Sequence, residues 1–196
     1  FLVDFEPLME QRKKTWNKIL KKSDSQFIDD NRHKITIVGD SQSDDLFVSL
    51  ELNKAKFEKN YQFRHFNFEN VCMPQYIGHK YINKICSDPI KNIMSDSIAG
   101  DSDYIFFVMR WLPEDMMHIS EFVNNFREKH VKVVFVGEAA FTRIPLLLFR
   151  YARSDKKLDR EELKKWFGRN MQRESVMLNQ IVKQKVEDAG GIYLSK

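Results

Sequence analysis

Two stretches, "YIFFVM" (residues 104–109) and "VKVVFVG" (131–137), constrain the fold of this chain more than any other feature. Both are nearly continuous apolar runs rich in β-branched and aromatic side chains, as expected of strands covered on both faces. With them, five segments read as strands: Lys34–Val38, Tyr61–Phe68, Asp103–Met109, Val131–Val136 and Gly191–Leu194. Helical patterns lie between. "SDDLFVSLELNKAKFEK" carries Leu46, Val48, Leu50, Leu52 and Phe57 as an imperfect stripe. "EDMMHISEFVNNFREKH" places Met116, Ile119, Phe122, Val123 and Phe126 on one face. A long segment opens like a capping box at Asp159 and Glu162. It continues through Leu163, Trp166, Phe167, Met177, Leu178, Ile181 and Val182, and stops at Gly190-Gly191.

Strands alternating with helices imply right-handed crossovers and a parallel sheet covered on both sides. The expected fold is α/β, a flavodoxin-like three-layer sandwich around a five-stranded parallel sheet. A helix from about Pro7 to Lys22 heads an N-terminal extension over residues 1–33. Residues 72–100 are the least periodic and read as a loop plus a helix. At 196 residues there is room for one domain with a full core, and no repeat or interdomain linker divides it.

Charge narrows the function classes. The net charge of +4 is spread among interleaved acids and bases without a basic block, so nucleic acid is not an expected partner. No apolar run approaches the ~20 residues needed to span a bilayer, and no signal peptide is visible. The first residue is Phe1 rather than Met, so the chain reads as a mature form or a piece of something longer. Cys72 and Cys86 are too few for a disulfide scaffold and too isolated for a zinc site. They are either two buried thiols or one bridge closing a small loop, and the expectation carried forward is a Cys72–Cys86 disulfide in an oxidising compartment.

In an open α/β sheet, ligands bind beyond the carboxyl ends of the strands, where the strand order reverses. The first strand ends in Gly39-Asp40-Ser41. Glycine permits a sharp turn or a close backbone approach. Ser41 then falls near the amino end of a helix, where backbone N–H groups point outward and favour negative charge. A serine there could attack an ester while its own N–H holds the oxyanion. Ser43 reads as the N-cap, with Asp44 and Asp45 as first-turn acids. The plainer alternative is a turn built from good turn residues.

"ITIVGDSQSDDL" resembles the first block of the SGNH (GDSL-type) hydrolase superfamily. The order of "KKTWNKILKK", the Gly-Asp-Ser block, "NVCMPQYIG", a second cysteine, "SDYIFFVMRW" and "VKVVFVGEAAF" is similar to one subgroup. These are the SGNH domains attached to membrane acyltransferases that O-acetylate bacterial surface polysaccharides. The resemblance implies carbohydrate O-acetyl transfer or de-acetylation, in the periplasm or otherwise outside the cytoplasm, with Ser41 as nucleophile. Its partners would be a carbohydrate acceptor or acetylated glycan and an acyl donor delivered by a membrane acyltransferase domain. It implies no cofactor and no metal.

Three positions depart from the family pattern. The third block normally ends in Gly-x-Asn-Asp, whose Asn supports the oxyanion, and here the chain has "MRWLPED". Arg110 could supply charge and Trp111 an indole N–H or a sugar-stacking face. Alternatively, Arg110 makes a structural ion pair and Trp111 caps the core. Gly78 is the nearest candidate for the second block's glycine. The family's Asp-x-x-His follows the last strand, so the resemblance places the base and its orienter beyond Lys196. Asp115 and His118 form an in-chain Asp-x-x-His, at a position the family does not use. His33, His65, His79 and His130 read as structural or solvent-exposed. The alternative function is a non-catalytic glycan-binding or assembly domain on the same scaffold. A nucleotide binder is a poorer fit, since no Gly-x-Gly-x-x-Gly or Walker pattern is present.

Overall fold

The computed structural model describes residues 6–22, 26–67, 100–111, 116, 119–137 and 173–195. Helix α1 (Glu6–Leu20) is followed by strand β1 (His33–Gly39), helix α2 (Ser41–Leu52), a short 3-10 turn at Lys54–Lys56 and strand β2 (Tyr61–Asn67). Then come β3 (Tyr104–Val108), α3 (Ile119–Arg127), β4 (Lys132–Val136), α4 (Arg173–Asp188) and β5 (Ile192–Leu194). All five strands read from sequence are present, each within two residues of its expected ends. They form one parallel sheet in the order β2-β1-β3-β4-β5. This is the expected flavodoxin-like arrangement.

Side chains alternate across the sheet because a strand has period two. Ile35 and Ile37 of β1 and Val108 of β3 face α2, where Phe47 is buried against them. Ile19 and Leu20, at the end of α1, pack on the same cluster. Val38, Ile105, Phe107, Val133 and Phe135 point the other way, onto Ile119, Val123 and Phe126 of α3 and Val182 and Val186 of α4. The chain runs from β1 through α2 to β2 on one side, and from β3 through α3 and α4 to β5 on the other. Right-handed crossovers in opposite directions set their helices on opposite faces. The sheet's switch point is therefore the boundary between β1 and β3.

Several local expectations are corrected. Helix α2 begins at Ser41 and its N-cap is Asp40, not Ser43. Its buried positions are Ser43, Phe47 and Val48, whereas Leu52, counted in the sequence stripe, is exposed. In α4 the buried row is Ser175, Val182 and Val186 with Leu178 partly buried, while Met177 and Ile181 face outward. The helix ends as expected: Gly190 adopts φ 81°, and its N–H and that of Gly191 bond back to Glu187 and Val186. The α3 face holds, with Met116, Ile119, Val123 and Phe126 all buried. The capping box at Asp159 and the irregular stretch 72–99 lie outside the described residues, as does the side chain of Phe122.

Among the described residues no helix is long and apolar enough to cross a membrane. On the α3 side of the sheet, β1 and β2 bury a polar group. Arg64 donates from Nε to Thr36 Oγ1 at 2.8 Å, and Thr36 shares a 2.7 Å hydrogen bond with Ser102. The guanidinium also lies 4.3 Å from the Phe27 ring centroid. Burial pulls the Arg64 pKa down, with Asp101 opposing it.

Candidate active site at the switch point

Gly39 closes β1 with φ +154°, and a Cβ there would overlap the carbonyl oxygen of Val108 on β3. The glycine lets the two strand ends meet before the chain turns into α2. The next residue fastens that junction. Asp40 is buried, and its two carboxylate oxygens serve different elements. Oδ1 accepts the Gln42 N–H at 2.7 Å and caps α2, while Oδ2 accepts the Arg110 N–H at 2.9 Å, just past β3. One side chain thus ties both banks of the switch point together.

A helix leaves its first N–H groups without intrahelical partners. In α2 most of them are accounted for by Asp40. Gln42 N–H goes to its carboxylate, and the Ser43 and Asp44 N–H groups go to its carbonyl at 2.8 and 3.3 Å. The Ser41 N–H has no partner among the described residues, nor does the Ser41 hydroxyl. Ser41 is also exposed, unlike its neighbours Asp40 and Ser43. The switch point therefore presents an exposed serine whose hydroxyl and amide have no partner among the described residues.

Beneath Ser41 lies a group that sequence reading did not assemble. Ser43 is fully buried, and its hydroxyl lies 2.6 Å from the Asp40 carbonyl and 2.8 Å from His65 Nε2. A carbonyl can only accept, so the single Ser43 proton goes to Asp40. The Ser43 oxygen must then accept from His65, which fixes the proton of the imidazole on Nε2. Phe47 stacks on the ring at 5.3 Å between centroids. Asp44 Oδ1 lies 3.3 Å from Nε2 and also accepts from Asn67 Nδ2 at 2.9 Å. The available signal was the period of β2, which puts His65 on the face of Tyr61 and Phe63, toward α2.

Burial at 2% exposure pushes the His65 pKa below the ordinary histidine value, and the nearby Asp44 opposes this without reversing it. The folded protein therefore takes up this proton less readily than the unfolded chain. The neutral ring contributes its full stability above the unfolded histidine pKa of about 6.5, and that stability is lost as pH falls below it. The loss levels off once the folded state also protonates. Urea midpoints taken near pH 7.5 and near pH 5.5 should differ more for the wild type than for His65→Gln, which has no proton to gain. Equal differences would remove His65 from the acid response.

The remaining sequence candidates separate. Trp111 is 1% exposed, its ring lies 5.1 Å from that of Phe135, and its indole N–H donates to the Val136 carbonyl at 3.0 Å. It caps the core with its N–H engaged, the second of the two readings that the sequence leaves open for it. The Arg110 side chain is exposed, while its backbone N–H is held by Asp40. Gly78, Asp115, His118, Cys72 and Cys86 lie outside the described residues, as does His79.

Of the described histidines, His33 and His130 sit at the amino ends of β1 and β4, opposite Ser41. His65 is committed to Ser43. Among the described residues, then, no histidine bonds the Ser41 hydroxyl. Nor do three metal-ligating side chains gather there. Cavities of about 200 Å³ beside Phe27 and Tyr61, and of about 270 Å³ beside Arg127 and Ile192, are lined by neither Ser41 nor Asp40. No protein-family model and no curated protein matches the chain.

Proposed function

We propose that the protein is a serine-dependent O-acyltransferase or esterase of the SGNH type, acting on acetyl groups of cell-surface carbohydrate outside the cytoplasm. The observation that carries this reading is the exposure of Ser41, its hydroxyl and N–H without a partner among the described residues, at a switch point where Asp40 occupies the other donors of the first turn. The order of blocks along the sequence supports the carbohydrate class.

In the reaction, Ser41 Oγ attacks the acyl carbonyl carbon and the carbonyl π bond opens to an oxyanion. The Ser41 N–H, at the positive end of α2, donates to that oxygen. A base takes the hydroxyl proton and returns it to the departing alkoxide, leaving acyl-serine. Water or a sugar hydroxyl then attacks the acyl carbon and gives up its proton to the same base, which passes it to Ser41 Oγ as the acyl–serine bond breaks. The base is a histidine held by an aspartate, as in the Asp-x-x-His of the resembling family, and is none of the three described histidines.

Fluorophosphonates react with activated serine hydroxyls. The full-length wild-type protein should be labelled at Ser41, and Ser41→Ala should not be labelled. Equal labelling of both would move the nucleophile elsewhere. A wild type that stays unlabelled while folded would favour the non-catalytic glycan-binding reading.

A further inference from the structure

We propose that His65 is a positioning residue for Ser41, acting through the Ser43 hydroxyl and the Asp40 carbonyl; this rests on Ser41 being the nucleophile. The first turn of a helix has the fewest internal hydrogen bonds and is the part that frays. In α2 that turn is held from two directions. Asp40 Oδ2 ties it to the end of β3 through the Arg110 N–H, and His65 ties it to β2 through Ser43. Ser41 lies between these anchors, and its own side chain has no partner among the described residues.

The chemistry of the site explains why a histidine stands there. Tyr61 and Phe63 precede His65 on the same face of β2, and Phe47 stacks flat on the imidazole. An apolar ring would fill that space without burying a polar group. An imidazole carries a desolvation penalty that only a satisfied hydrogen bond offsets. What it adds over phenylalanine is one directed N–H, aimed at Ser43 Oγ. The Ser43 oxygen, relieved of donating to the ring, turns its proton onto the Asp40 carbonyl. The Asp40 carbonyl also accepts the Ser43 and Asp44 amides, so the proton relay sets the turn that aims the Ser41 N–H and hydroxyl.

The inference separates from a packing role by rate and by rescue. His65→Phe keeps the ring stack and deletes the donor, Ser43→Ala deletes the relay, and His65→Gln offers an amide nitrogen near the Nε2 position. Per folded molecule, the fluorophosphonate rate at Ser41 should fall about tenfold or more in His65→Phe and in Ser43→Ala, as expected for a misplaced reacting group. The double variant should be no slower than the slower single, because both break one chain of bonds. His65→Gln should recover most of the rate. A second readout needs no chemistry: amide exchange at Gln42, Ser43 and Asp44 should quicken in His65→Phe, while Phe47 and Val48 keep their protection.

A His65→Phe protein that is less stable but labels at the wild-type rate, or that keeps slow exchange at those amides, overturns the positioning role. It would leave the Ser41 assignment standing. A folded wild type that takes no label overturns the Ser41 assignment, and the positioning role with it.

Discussion

Gly39→Ala should yield little or no folded protein. The new Cβ would overlap the Val108 carbonyl oxygen, which is strand backbone and cannot swing aside as a flexible side chain could. The residue would also have to hold φ +154°, a conformation that side chains with a Cβ rarely adopt. Relief requires β1 and β3 to separate at their carboxyl ends, which breaks the pairing of Gly39 with Val108 at the centre of the sheet. The expected loss exceeds about 4 kcal/mol, the range of exceptional point substitutions. Soluble yield and urea unfolding measure it. A Gly39→Ala protein within about 1 kcal/mol of wild type, the ordinary size of a substitution, would mean that the strands do not approach as described.

Asp40→Ala should be the next most damaging. It deletes the N-cap bond to Gln42 and the buried bond to the Arg110 N–H together. A cap is worth about 1 kcal/mol and a buried hydrogen bond to a charged group about 1.5–3, so the loss should be about 3 kcal/mol. Asp40→Asn is the informative control. Its amide has one accepting oxygen and one donating nitrogen, so it can satisfy Gln42 or Arg110 but sets an N–H against the other. It should recover about half of the stability. Labelling of Ser41 should fall in both variants, because the alanine loses both the helix cap and the tie to β3 and the asparagine loses one of them. Asparagine matching wild type in both measurements would show that only one of the two bonds matters.

The fold is legible because two of its strands, β3 and β4, are nearly continuous apolar runs. "YIFFVM" and "VKVVFVG" leave few alternatives to central parallel strands, and the helical stretches between them set the crossovers. Helix faces were less legible. Met177 and Ile181 suited an apolar stripe by spacing but lie on the outer side of α4, since the register of a helix on a sheet depends on its neighbours. The N-cap is ambiguous in the sequence for a similar reason. Asp40 and Ser43 are both good caps three residues apart, and the choice is made by the Arg110 N–H, which comes from seventy residues further along the chain.

For Trp111 the core-cap reading has its signal in the strand period. Ile105, Phe107 and Met109 alternate into the core, and Trp111 extends the same period past the end of β3. The Ser43–His65 bond could not be read from local pattern. It requires knowing that β2 lies beside β1 in the register that sets His65 opposite Ile37. Where the structure adds most to the sequence is thus the support beneath Ser41, while Ser41 itself was singled out from its position after the first strand.

The account stands or falls on whether Ser41 carries the acyl group. The direct measurement is mass spectrometry of the full-length protein quenched in acid during turnover of an activated acetyl ester such as p-nitrophenyl acetate. The prediction is one acetyl group on the peptide that contains Ser41, localised to its hydroxyl, and absent when Ser41→Ala is treated in the same way. An acetyl group on another residue, or ester turnover that persists unchanged in Ser41→Ala, would contradict it.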